Sequence, residues 1–231
     1  MLNVSKSSIG LFDKCPYSFF LHKVQGLRTK ASPIMMKGIK THEMFQKYFE
    51  NLKGKELSLE VIDKVPALQD EEDLMQMSNF KNFNLRKWVA VKDNQEDFMP
   101  ILLEQRLEAK FNPTIRLVGV VDRVDKMNGQ IFVIDYKTGR RLTDISEHAQ
   151  EMSFYDELLK REKNIIADVN GIYHSRYDMF TKAPADHEYF KAFVEPVILE
   201  IERCYKENDW VCDTRNCKWC LMNTLCDKVK K

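Results

Sequence analysis

Two aspartates and a lysine, Asp122, Asp135 and Lys137, flank the dipeptide Asn128-Gly129. Asn-Gly is the strongest short-range signal for a two-residue hairpin turn, because both central positions need positive φ. With Met127 facing Gln130, the register sets Asp122 directly across from Asp135, and Lys137, two residues on, shares their face. Val120, Val124, Ile131 and Val133 fall around them, so an unneutralised pair suffers like-charge repulsion and desolvation together. Two readings stay open on the residues alone. A divalent cation fits the paired carboxylates, which supply the hard oxygen ligands that Mg²⁺ or Mn²⁺ prefers. The other is a structural ion-pair network in which Lys137, Arg123 or Arg140 neutralises one carboxylate.

A second group with chemistry is made of thiols. Five of the six cysteines, Cys204, Cys212, Cys217, Cys220 and Cys226, crowd the C-terminal end, and the sixth, Cys15, lies near the other end. The run Cys217-x2-Cys220-x5-Cys226 has spacing that lets neighbouring thiolates share one metal centre. Cys15, in a CPYSFFL segment whose aromatics can pack, is the expected fourth ligand. A clasp of this kind joins both chain ends. Spacing leaves zinc and an iron–sulfur cluster equally open, since both accept four thiolates. Cys212 is an alternative ligand, whereas Cys204, beside Ile201 and Tyr205 on an apolar helix face, is expected in the core.

The elements that must position these residues follow from periodicity. Ser5 to Leu21 reads as one or two short helices, with Pro16 where a first turn tolerates it. Gly38 leads a helix through about Glu50, and Asp70 to Val89 forms another, its acidic residues at the start and basic residues at the end suiting the helix dipole. From Ile101 the period changes: ILLEQRLEAKF, IRLVGVVDRVD and QIFVIDYK read as a three-strand meander. Ser146 to Glu162 is helical, Ile165 to His174 strand-like, and Asp186 to Asn208 helical with Pro196 kinking or dividing it. The fold class is therefore α/β, a central mixed β-sheet flanked by helices. One domain is expected, with residues 1–99 a mainly helical N-terminal part, 100–185 the sheet core, and 186–231 the C-terminal helices and cysteine cluster.

Composition bounds the function classes. The chain has 231 residues, and 36 Lys+Arg against 35 Asp+Glu leave a net charge of +1. A nucleic-acid partner must then be held by a local basic surface rather than by a global field. At 44% hydrophobic and 31% charged the chain can bury a sizeable core. No apolar run approaches the roughly 18 residues of a membrane span, and the opening lacks a secretory-signal pattern, so no membrane partner and a cytoplasmic location are expected.

GVVDRVD followed by FVIDYKTG resembles the core of the PD-(D/E)XK nuclease superfamily. The opening SKSSIGLFDKCPYSFFL, the GIKTHE helix, the two acidic strands and C-x2-C-x5-C occur in the order of its RecB-type branch with a C-terminal iron–sulfur cluster. That branch includes the AddB nuclease domain and the CRISPR-associated iron–sulfur exonucleases. The resemblance spans nearly the whole chain and implies a restriction-endonuclease-like core with an iron–sulfur clasp. It implies that His42, Asp122 and Asp135 are metal ligands, helped by the backbone carbonyl of Tyr136, and that Lys137 is catalytic. It also implies that Cys15, Cys217, Cys220 and Cys226 hold a four-iron four-sulfur cluster. The family's Gln-x3-Tyr is irregular here: Gln150 precedes Tyr155 by five residues and Glu151 by four. Residues four apart stack on one helix face and residues five apart do not. Gln150, Tyr155 and Arg140 are the expected DNA contacts, with Arg141 and Lys126 as further basic candidates. The implied activity is Mg²⁺- or Mn²⁺-dependent exonuclease cleavage, with endonuclease cleavage in some relatives, of single-stranded DNA or DNA ends. The implied setting is CRISPR adaptation or recombination and repair, beside other proteins of those systems. The alternative is an inactive DNA-binding iron–sulfur subunit of a larger complex.

Overall fold

The computed structural model describes residues 1–64, 66, 68–91 and 94–228. Strands β2 (Leu102–Lys110), β3 (Ile115–Met127) and β4 (Gln130–Lys137) form the expected meander. Asn128 and Gly129 make the tight turn at φ of 52° and 81°, a conformation that asparagine tolerates and glycine adopts freely. The register follows: Met127 faces Gln130, Val124 faces Val133 and Arg123 faces Ile134.

Three strands complete the sheet. β5 (Val169–His174) runs parallel to β4, and β6 (Met179–Pro184), which has no counterpart in the sequence reading, returns antiparallel to β5. β1 (Leu2–Val4) lies parallel to Ile115–Leu117. The first residues, expected in a helical part, thus belong to the central sheet. β2 occupies one edge of β3 over residues 116–124, so β1 and β4 must share the other edge. Between them, residues 118–122 of β3 face an open fork.

Helices cover both faces. On one, α1 (Lys6–Lys14), α6 (Ala149–Lys163) and α7 (Glu195–Glu207) bury Ile9, Phe12, Phe154, Leu158, Ile198 and Ile201 against Val121, Val124, Val133 and Ile172. On the other, α3 (Pro33–Glu50) and α5 (Glu71–Ala90) bury Phe45, Phe49, Met77 and Phe80 against Phe132, Ile134, Tyr136 and Tyr173. Phe45 and Phe80 stack at 3.9 Å, an aromatic contact that fixes α3 on α5. Two short helices, α2 (Pro16–Phe19) and α4 (Leu59–Ile62), bridge the longer ones.

Local chemistry explains where helices begin. Ser5 caps α1 through a reciprocal pair with Ser8, and Asp70 accepts from the Asp73 amide at the start of α5. α3 starts at Pro33, capped by Ser32, which places Gly38 inside the helix rather than at its head. Pro196 sits in the first turn of α7, directly after a π-helical turn at Phe190–Val194. It therefore divides the long segment.

Candidate active site

Four elements meet at the fork in the sheet. β3 brings Asp122, β4 brings Asp135 and Lys137, α3 brings His42, and α1, launched directly from β1, brings Lys6. Strand β3 does not keep one phase along its length. Leu117 and Val121 face the α6 side and Gly119 approaches Tyr155 and Leu158 of α6, whereas beyond Asp122 it is Val124 that faces this core. Arg123 and Asp125 turn instead to Asn84 and Lys87 of α5. Asp122 sits at that change of phase, one residue past the last β3–β4 pair, and its Oδ2 accepts from the Tyr136 amide at 2.7 Å.

Asp122 does not stand among valines as the hairpin alone suggests; Val120 is 40% exposed. His42 Nδ1 lies 3.6 Å from Asp122 Oδ1 and 2.9 Å from Oε1 of Glu104. One ligand atom from each of His42, Glu104 and Asp122 lies within 4.8 Å of the others, a donor set suited to a cation. Glu104, on β2, is a residue that sequence reasoning missed. Its backbone is left-handed, φ 45°, inside a strand, a strained state for a non-glycine residue that turns its carboxylate toward His42.

The charges show that this cluster is short of positive charge. Burial pushes the Asp122 carboxyl up, and the neighbouring Asp135 charge adds to it. Burial alone would lower the His42 imidazole. The hydrogen bond from His42 to Glu104 and the charges of Asp122, Glu104 and Asp135 outweigh burial and raise it to about 9. The residues present therefore fit a divalent cation: a half-buried histidine and glutamate with a buried aspartate, in which neighbouring carboxylate charge outweighs burial at His42 and adds to burial at Asp122.

Asp135 is placed differently. Its side chain is 4% exposed, with Oδ1 3.2 Å from Lys6 Nζ and Oδ2 2.7 Å from Lys137 Nζ. Burial pushes Asp135 up, but the two ammonium groups overcome it and hold the carboxyl below its ordinary value. Lys137 also reaches Oε2 of Glu151 at 2.9 Å, and Lys6 pairs with Oε1 of the same residue. His148 Nδ1 lies 2.9 Å from Glu151 as well, while its Nε2 meets Thr143 Oγ1 at 2.8 Å. Burial and the nearby Lys137 lower His148 to about 4, so it is neutral at physiological pH and its Nδ1–H donates to Glu151. Lys6 and His148 were missed as parts of this ring, and Glu151 was noted only as the residue four before Tyr155, since no spacing rule links α1 or the start of α6 to the hairpin.

The irregular helix motif resolves in favour of Glu151. It faces Lys137, four residues before Tyr155, while the Gln150 amide reaches Asp13 at 3.2 Å and lines a 240 Å³ groove beside Lys6. Gln150 therefore does not stand with Tyr155 beside the lysine. Tyr155 is buried under Lys6, whose Nζ lies 5.0 Å from the ring centroid. Gly119 admits it: a Cβ there would stand 3.3 Å from the Tyr155 ring and 3.2 Å from Leu158. Arg140 is exposed, its carbonyl accepting from the Tyr177 hydroxyl at 2.6 Å. Arg141 pairs with Glu147, and Lys126 lies 3.6 Å from Asp97 at the far end of the hairpin. Of the Tyr136 peptide, the N–H is committed to Asp122, and the side chain points into the aromatic core on the opposite face.

The thiols gather elsewhere. Cys15, Cys212, Cys217, Cys220 and Cys226 line a single cavity of 520 Å³ between α1 and the C-terminal segment. The Asp213 amide donates to Cys15 Sγ at 3.4 Å. Cys204 is buried on α7 and contributes to the core, as expected.

A fork in a mixed sheet that presents an acidic residue on one strand and Asp-x-Lys on the next defines a class of hydrolytic site. The chain belongs to the PD-(D/E)XK nuclease superfamily, whose family description matches residues 3–227. It is 24% identical to a subunit of the ATP-dependent helicase/deoxyribonuclease of Clostridium tetani, over 77% of this chain and 20% of that protein. It is 25% identical to the protein of the same name from Streptococcus agalactiae serotype Ia, over 71% of this chain and 17% of that one. The chain thus spans about a fifth of the length of the curated relatives it matches. A solved structure, the crystal structure of SSO0001, is similar over all of this chain and 89% of its own, at 14% identity and a TM-score of 0.40. Among the described residues no helix is long and apolar enough to cross a membrane.

Proposed function

We propose that this chain is a metal-dependent deoxyribonuclease that hydrolyses phosphodiester bonds of single-stranded DNA or DNA ends. The observation that carries the reading is the convergence of His42, Glu104 and Asp122 within 4.8 Å, beside Asp135 and Lys137. His42, Glu104, Asp122 and Asp135 would hold Mg²⁺ or Mn²⁺, with the Tyr136 carbonyl as a further ligand. Such an ion supplies Lewis acidity toward a phosphoryl oxygen and a more acidic water. Lys137 uses two of its three donors on Asp135 and Glu151, and the third is the group that orients the attacking water or meets charge growing on phosphate. Glu151 and Asp135 hold the lysine in place from two sides. Tyr155 and Gly119 seat α6 so that Glu151 arrives at that lysine. Gln150, on the groove beside Lys6, and the exposed Arg140 are the DNA contacts we assign.

The relatives' printed name joins a helicase to a deoxyribonuclease, which supports a role as the nuclease part of a larger DNA-processing system in recombination and repair. CRISPR adaptation is the other setting the cysteine pattern suits. We assign Cys15, Cys217, Cys220 and Cys226 to a structural four-iron four-sulfur cluster. The shared 520 Å³ cavity supports this, since it has room for a polynuclear group and draws thiols from both chain ends.

The test is cleavage of end-labelled single-stranded and duplex DNA with Mg²⁺ or Mn²⁺, before and after chelation. Asp135→Ala and Lys137→Ala are each expected to lose at least about 100-fold in rate, the scale of removing one group that stabilises a transition state. Undiminished cleavage by both variants, at normal folded yield, overturns the assignment.

A further inference from the structure

We propose that a cavity between the start of α6 and the outer strand β6 binds a nucleobase carrying an exocyclic amine, such as cytosine or adenine, with the Asn170 side-chain oxygen accepting from that amine. The proposal deepens the nuclease reading above, on which a DNA strand as the source of the base rests; a free nucleoside is the other source of the same chemistry.

The cavity exists because two positions are alanine. Asn170 on β5 stands directly across from Ala183 on β6, so both side chains leave the sheet on one face. Ala149, the first residue of α6, lines the same space. These short side chains leave 260 Å³ bounded by the apolar walls of Ile145, Met152, Pro184 and Tyr189.

Most polar groups around it are already committed. The Ser153 hydroxyl donates to the Gln150 carbonyl at 3.1 Å, and that of Ser146 donates to Asp144 at 2.8 Å. Asp186 Oδ1 accepts from the Glu188 and Tyr189 amides at 3.1 Å each. Asn170, only 6% exposed, differs. Its Nδ2 donates to Asp156 at 2.8 Å, and its Oδ1 has no partner. A buried amide oxygen is normally hydrogen-bonded, so this one is an acceptor matched to a donor from outside the chain.

The surroundings select the donor. Among the described residues that line the cavity there is no lysine, arginine or histidine, so phosphate gains nothing by entering. An ammonium would lose its hydration against apolar walls. An amine on an aromatic ring brings the donor without the charge, and the flat ring can lie on Tyr189. At 260 Å³ the space is below the roughly 300 Å³ at which sites for drug-sized ligands begin, a size that suits one base. Ile145 and Ser146 open the short turn that ends at His148, the residue that donates to Glu151 beside Lys137. Cavity and lysine therefore flank the first turn of α6, and a strand crossing that turn can leave one base in the cavity.

Binding of fluorescein-labelled octamers of deoxycytidine and of deoxyuridine, which differ in the amine, is measured by polarisation with the full-length chain. The assay contains chelator to prevent cleavage and is run at pH 8, above the raised value of Asp156, so that its carboxylate accepts from Nδ2. Wild type is expected to hold the cytosine octamer roughly 5-fold more tightly, the scale of one net hydrogen bond. Asn170→Leu should equalise the two octamers. Ala183→Leu, which fills the cavity and keeps the Asn170–Asp156 pair, should do the same and decides the matter where Asn170→Leu lowers folded yield. Saturation-transfer NMR with free deoxycytidine and deoxyuridine separates the sources: transfer to deoxycytidine alone, removed by Ala183→Leu, assigns a free nucleoside, and the octamer preference without such transfer assigns a strand. Equal affinity in wild type, as a cavity holding only water would give, or a preference that survives in folded Ala183→Leu, overturns the proposal. Cleavage without base preference leaves the nuclease reading standing and the pocket refuted; base preference in a chain that cleaves no DNA does the reverse.

Discussion

Asp156, one turn along α6 from Met152, is a buried acid with a single donor: the Asn170 amide reaches its Oδ2 at 2.8 Å. Burial raises its carboxyl from the ordinary 3.8 to about 7, with Asn170 pulling the other way. The raised value means the folded chain favours the protonated acid. Its contribution to stability is complete below about pH 4, declines as pH rises toward 7, and is lost above that. Asp156→Asn keeps the acceptor for Asn170 and removes the titration. It is expected to stabilise the chain by roughly 2–4 kcal/mol at pH 8 and to leave stability near pH 4 almost unchanged, read from urea unfolding at both pH values. At this scale the sequence brought Asp122 to the strand beside Asp135 and Lys137, because a hairpin register is local, although the pairing ends at Arg123 and Ile134, one residue short of the two aspartates. Glu104, Lys6, Glu151 and His148 were illegible as partners of that pair. Each is brought in from outside the hairpin, and Glu104 arrives through a left-handed backbone that no propensity predicts for glutamate in a strand.

Among the elements, α5 is fastened to β3 by charge as well as by apolar packing. Arg123 is fully buried, with its Nη2 2.7 Å from Asp125, its Nη1 on Asn84 and its guanidinium 4.7 Å from the Phe49 ring. Lys87 meets the same aspartate at 2.9 Å, and burial lowers its ammonium to about 8 despite that partner. Removing one member of such a group strands the others without compensation. Asp125→Ala is therefore expected to cost about 3–5 kcal/mol, measured as a shift of the urea midpoint. Breaking the exposed pair of Arg203 with Glu207 should leave that midpoint nearly unmoved, because water screens it. The helices and the meander were legible from period and turn chemistry. β1 was not, since three residues carry no period, and β6 was not, since MFTKAP mixes polar and apolar residues on a half-exposed strand. The missed β1 is what delivers α1 to the site, so an error about an element became an error about the site.

For the whole molecule, the cysteine cavity decides how the two ends behave. A centre held by Cys15 and by Cys217 to Cys226 closes a loop of about 200 residues, worth several kcal/mol by the chain-entropy estimate. Cys15→Ser and Cys226→Ser are each expected to lower the melting temperature by several degrees, and the double variant by little more than either. Iron and acid-labile sulfide should be present in wild type and reduced in both variants. Zinc without sulfide, or fully additive losses, would count against the cluster. The gathering of these thiols was legible because ligand spacing is visible in a sequence; the fifth thiol at the same cavity, Cys212, was visible only as an alternative.

That cavity also sets an order of events during synthesis. At about 5–20 residues per second, Cys15 leaves the ribosome roughly 10–40 s before Cys217, Cys220 and Cys226 exist. Every strand except β1 lies between them in the chain. A cluster held by these four thiols would therefore be delivered only after the whole sheet has been synthesised, and a chain truncated before residue 217 would keep α1 packed beside α6 and α7 while losing three of the four thiols.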